Sequence, residues 1–69
     1  MFVQNTTSII STRSEKTRND LLKTTESIFA SHGFGGLTLR EVAQRSHTNL
    51  ASAHYHFGSK EAMALEMLQ

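Results

Sequence analysis

Leu21, Thr25, Ile28 and Phe29 recur at i, i+4, i+7 and i+8, with Leu22 alongside, so they share one side of a helix. Arg18, Lys23 and Glu26 fall off that side. The spacing predicts a helix from about residue 12 to about residue 31. Thr12-x-x-Glu15 fits a capping box at its start, in which each side chain satisfies an orphan N–H; Ser14 could cap instead. Residues 1–11 are uncharged, rich in Ser, Thr and Asn, and lack a helical period, which predicts a disordered arm. Gly33 can stop the helix in a left-handed conformation. Phe34 and Phe29 then occupy the two positions that touch in a Schellman ending.

A second helix is expected to start at Thr38. Thr38-Leu-Arg-Glu41 is a capping box, and Leu37 faces Val42 as a hydrophobic staple. Leu39, Val42 and Ala43 form its buried stripe, and it should end near Ser46. His47-Thr48-Asn49 is a short break with Asn49 a good N-cap. The third helix, about residues 50–57, would be about 12 Å long and is closed by Gly58. Ser59 caps a fourth helix that is nearly all apolar and runs to Gln69.

Helix, short turn, helix is the spacing of a DNA reader whose second helix enters the major groove. On a wheel of about 100° per residue, Ala53 and Phe57 define the inner side of the third helix. Ala51, Ser52 and Tyr55 lie opposite, with Leu50 and His54 on one flank and His56 on the other. No carboxylate occurs between Glu41 and Glu61. A face of small residues, a hydroxyl and a tyrosine, free of acids, can approach phosphates closely. The plainer alternative is a generic three-helix module.

Composition narrows the classes. The chain has 69 residues, 38% of them hydrophobic, so it holds at most one small domain. Such a domain buries only about 60% of its unfolded surface, which leaves no room for a barrel or a two-domain enzyme. It has no Cys, hence no disulfide or thiolate metal site, and no Pro, so nothing forbids long helices. The formal net charge is +1, so any attraction to DNA must come from placement. No apolar run approaches the roughly 18 residues of a membrane span, and the start lacks the basic and apolar regions of a signal peptide.

Gly33-Phe-Gly-Gly36 has no following Lys-Ser/Thr and no preceding strand, so it reads as a loop, not a phosphate cradle. His54 and His56 point about 200° apart on a helix and cannot share an ion. His32 near a helix C-terminus reads as a dipole-stabilised surface group. No nucleophile, base and orienting acid are arranged around a pocket. Neither a metal, nor a cofactor, nor an enzymatic activity is implied.

These residues resemble the N-terminal DNA-binding domain of the tetracycline-repressor (TetR) family of bacterial regulators. The resemblance covers roughly residues 15–68. It rests on Ile28-Phe29 before Gly33-Phe34, on Leu37-Thr-Leu-Arg-Glu-Val-Ala43, and on Asn49-Leu-Ala-Ser-Ala-His-Tyr-His-Phe-Gly-Ser-Lys-Glu61. Within the last segment, the Tyr-x-Phe-x-x-Lys pattern of Tyr55, Phe57 and Lys60 is the most specific part. The resemblance implies a phosphate bond at Thr38 and a base or phosphate contact at Arg40. It places Leu50, Ala51 and Ser52 at the groove-reading start of the third helix, and His54, Tyr55 and His56 where the backbone is clamped. Lys60 matches a phosphate-contacting lysine at the positive end of the fourth helix; its alternative is a solvated surface lysine.

Four positions depart from the family pattern. His47 stands where Gly is common, and a non-Gly residue at positive φ costs roughly 1 kcal/mol. Thr48 stands where an apolar residue is common. Ala53 replaces a larger aliphatic anchor, losing packing of about 0.8 kcal/mol per methylene. His54 also replaces the usual Tyr or Asn. A less stable helix-turn-helix is therefore expected, with gains in His47→Gly and Ala53→Leu.

The expectation is an all-α fold: an arm at 1–11, a three-helix helix-turn-helix DNA-binding domain at 12–58, and the start of a connecting helix at 59–69. The function expected is sequence-specific binding of double-stranded DNA through the major groove for transcriptional regulation, in the sense of repression. The alternative is a non-DNA-binding remnant or a small protein-interaction module. Family members dimerise and bind small-molecule effectors through a large helical C-terminal domain, so a homodimer and an effector site are not expected of these residues. Met63, Leu65, Met67 and Leu68 are expected to face such a domain, which makes the chain read as a truncated or excised regulator. No membrane partner is expected, and the location implied is cytoplasmic, at the nucleoid.

Overall fold

A computed structural model describes the backbone of residues 2–69 and the side chains of residues 14–69. Helix α1 (Phe2–His32) leads through a 3₁₀ turn (Phe34–Gly36) to α2 (Leu39–Arg45), α3 (Leu50–Phe57) and α4 (Lys60–Leu68). Among the described residues there is no strand, and the fold is all-α.

Helix α1 starts ahead of the boundary that the Thr12 and Ser14 capping patterns predict. The backbone at Thr12 and Ser14 lies inside the helix and not at its start. The physical reason is that no Gly or Pro interrupts the chain before Gly33, so the backbone ladder can continue through a weak start signal. The arm expected at residues 1–11 falls on Met1 and on positions whose side chains lie outside the described residues.

Leu21 and Ile28 of α1 meet Leu37, Val42 and Ala43, then Ala53 and Phe57 of α3, then Met63 and Ala64 of α4. Leu22 and Leu39 pack at the edge of this core. Each fully buried Leu or Ile contributes about 1.5–3 kcal/mol. Thr25 is fully buried on the same side of α1, and its hydroxyl donates to the Leu21 carbonyl at 2.7 Å. A polar group thus sits in the apolar stripe without an unsatisfied donor.

The apolar fourth helix divides differently from the sequence expectation. Met63 is buried in the domain's own core and faces no outside partner. Leu65 and Leu68 are exposed, and Met67 is half-buried.

The Schellman ending expected after α1 does not form there. Gly33 has φ 71° and donates a single bond to the Phe29 carbonyl at 2.8 Å. The double-bonded Schellman ending appears instead after α2. There the Thr48 N–H reaches the Ala43 carbonyl at 2.9 Å and the His47 N–H reaches the Gln44 carbonyl at 3.2 Å. His47 sits at φ 60° in the position that glycine usually fills.

Candidate nucleic-acid interface

Helices α2, α3 and α4 each begin on a side-chain cap. Thr38 Oγ1 accepts from the Glu41 N–H at 3.0 Å, which starts α2. Only that half of the expected capping box forms. The Glu41 carboxylate turns along the helix instead and takes the Arg45 guanidinium at 2.7 Å. Asn49 Oδ1 accepts from the Ser52 N–H at 2.7 Å, which starts α3. Ser59 Oγ accepts from the Ala62 N–H at 3.1 Å, which starts α4. Each cap satisfies one of the donors that a helix start leaves open.

The turn between α2 and α3 is held by hydroxyls. Ser46 Oγ donates to the Val42 carbonyl at 2.7 Å and lies 3.2 Å from Thr48 Oγ1. Thr48 Oγ1 also approaches the Ala43 carbonyl at 3.4 Å. Thr48, where an apolar residue was expected, therefore has polar partners, and its half-burial leaves no unmet hydroxyl.

This frame fixes which side of α3 is free. Ala53 and Phe57 face inward and are buried. Ala51 and His54 are exposed, and Tyr55 is 84% exposed. Leu50, Ser52 and His56 are half-buried at the flanks, so Ser52 is less open than the wheel predicts. Rings line the helix in sequence: Tyr55 meets His56 edge-on at 5.2 Å, and His56 meets Phe57 at 6.1 Å. His54 Nδ1 lies 3.4 Å from the Gly58 carbonyl; a carbonyl only accepts, so that nitrogen is the donor.

Thr38 and Arg40 are exposed at the start of α2, and among the described residues no carboxylate pairs with Arg40. Lys60 is half-buried at the start of α4. Its Nζ stands 4.3 Å from the centre of the Phe34 ring and 3.3 Å from the Phe34 carbonyl. The sequence reading placed Lys60 but not its partner. Phe34 is 26 residues away, beyond any local periodicity.

Arg18 was also missed. It lies 5.5 Å over the Phe57 ring and pairs with Glu66 of α4. It thus ties α1 to the back of the third helix. Neither helical period nor charge pattern could announce a contact set by three elements meeting.

Similarity to known proteins agrees with this geometry. Residues 21–67 match the family described as bacterial regulatory proteins, tetR family. The HTH-type transcriptional repressor NicS of Pseudomonas putida is 27% identical over 63 residues, which is 91% of this chain and 30% of that repressor. The chain thus spans under a third of the length of this curated relative. No solved structure matches.

Proposed function

Since this chain belongs to the tetR family of bacterial regulatory proteins, a non-enzymatic class of transcriptional regulators, we propose that it binds duplex DNA with sequence preference by laying α3 in the major groove. Occupancy of a promoter is then the regulatory act, and repression is the sense that the relative's name suggests. The location would be the cytoplasm, at the nucleoid.

The observation that carries this reading is the split of α3. Ala53 is 0% exposed on one side and Tyr55 is 84% exposed on the other. An aromatic residue so open is not a core residue. It stands on a helix whose cap and inner side are both fixed, so the backbone that carries its ring and hydroxyl is held. Ala51 and Ser52 at the start of α3 would meet base edges, together with Leu50. Tyr55, His54 and His56 would hold the phosphate backbone, with Thr38, Arg40 and Lys60 flanking them. Residues between Glu41 and Glu61 include no carboxylate to repel the duplex, and Glu41 itself is neutralised by Arg45.

One copy with few phosphate contacts should bind in the range of about 10⁻⁴–10⁻⁶ M. Dimerisation and effector binding, which tighten and control such readers, are not assigned to these 69 residues. The reading is tested by measuring affinity for mixed-sequence duplex DNA as salt is raised. Each phosphate contact should add about −0.9 to the slope of log K against log salt. Binding that ignores salt, or no binding at millimolar chain, would instead support a protein-interaction module.

A further inference from the structure

We propose that Phe34 is a positioning residue for the Lys60 ammonium, holding it ready for a duplex phosphate; the inference rests on the DNA-binding reading above. Phe34 is 41% exposed and lies outside the buried core, at the edge of an apolar groove shared with Phe29, Ala64, Leu65 and Leu68, which leaves part of its ring open to a cation. Its ring faces Lys60 Nζ at 4.3 Å, and its own carbonyl lies 3.3 Å from the same nitrogen. One residue thus offers a cation both a π face and an acceptor.

The same carbonyl also accepts from the Leu37 N–H at 3.1 Å. A carbonyl oxygen has two lone pairs and can serve both donors. Leu37 immediately precedes Thr38, the cap of α2. Phe34 therefore joins the starts of two helices, α2 with Thr38 and α4 with Lys60, both of which the reading assigns to phosphates. The backbone of the 3₁₀ turn makes this possible. Gly33 enters it at φ 71°, and the Gly36 N–H closes on the Gly33 carbonyl at 3.2 Å.

An ammonium has three N–H donors. One is directed to the Phe34 carbonyl and the ring covers one side, which leaves donor capacity for a phosphate oxygen. A free lysine loses much of its rotamer freedom when it binds. A lysine already held over Phe34 loses less, so Phe34 acts on affinity through Lys60 without touching DNA.

The test uses the full chain in two measurements. In the DNA-free protein, the side-chain methylene protons of Lys60 next to Nζ should show an upfield ring-current shift by NMR. The shift should persist in Phe34→Tyr and vanish in Phe34→Leu. Affinity for a mixed-sequence duplex should fall about three-fold in Phe34→Leu and stay near native in Phe34→Tyr. In a Lys60→Ala background, Phe34→Leu should have no further effect. No ring-current shift in the native chain overturns the proposal, whether or not any variant folds. So does an equal loss from Phe34→Leu with and without Lys60, since a merely structural role would give that. A native chain that binds no duplex overturns the DNA reading and this proposal together; one that binds without the Phe34–Lys60 coupling overturns this proposal alone.

Discussion

At the scale of single residues, His47 and Gly36 show how much a backbone angle or a missing Cβ can decide. His47 holds φ 60° within a complete Schellman ending. The bonds need that angle, and histidine adopts it at a cost of about 1 kcal/mol relative to glycine. His47→Gly should therefore raise stability by about that amount in a thermal or urea melt; an unchanged or lowered midpoint would contradict it. Gly36 has the opposite demand. A Cβ there would stand 2.5 Å from His32 Cβ, an atom fixed to the backbone of α1. Gly36→Ala should cost about 1–3 kcal/mol in the same melt. The structure reverses the gain that the sequence leads one to expect from Ala53→Leu. Ala53 is already 0% exposed between the helices, so an isobutyl group must displace neighbours, and a loss of about 1–3 kcal/mol is expected.

At the scale of elements, short helices depend on their ends. Helices α2 and α3 are of seven and eight residues, too short to be stable alone in water. Their N-caps are correspondingly consequential. Asn49→Ala removes the acceptor that holds the Ser52 N–H and should destabilise the chain by about 1 kcal/mol. Because that cap also aims the start of α3, DNA affinity should drop while the salt slope is unchanged. A changed slope would mean that Asn49 itself meets a phosphate. The caps were legible in the sequence because a cap is a local device, and Thr38, Asn49 and Ser59 all act as their spacing suggests. The start of α1 was not legible, because its boundary depends on an absence of breakers, which is weaker information than a signal. The capping box at Thr38 was half legible. Its Glu41 had two possible partners, and Arg45, four residues on, wins the carboxylate.

At the scale of the molecule, the inner and the open side of α3 came from one periodicity. The inner residues Ala53 and Phe57 were readable as a pair about 40° apart on a wheel, and the open side followed by subtraction. What the sequence could not supply were contacts between distant elements. Phe34 with Lys60 and Arg18 with Phe57 both join segments that no local pattern relates. Met63 was misplaced for a different reason. Its helix is apolar nearly all round, so a wheel offers no contrast, and only packing decides that Met63 turns inward while Leu65 and Leu68 remain open. The DNA-binding proposal for the open side of α3 predicts a division of labour. Tyr55→Ala and Lys60→Ala should weaken binding to all duplexes alike, whereas Ser52 substitutions should change which sequences are preferred. Selection from a random-sequence duplex pool, repeated with each variant, distinguishes the two effects.

The most direct test of the central claim is to titrate the isotope-labelled chain with duplex DNA and follow every amide by NMR. The account predicts that the largest shifts fall on Thr38, Arg40, Leu50, Ala51, Ser52, Tyr55 and Lys60, with Lys23 and Glu26 on the exposed side of α1 unmoved. Shifts centred on Leu65 and Leu68 of α4, or none at concentrations that saturate weak binders, would contradict it.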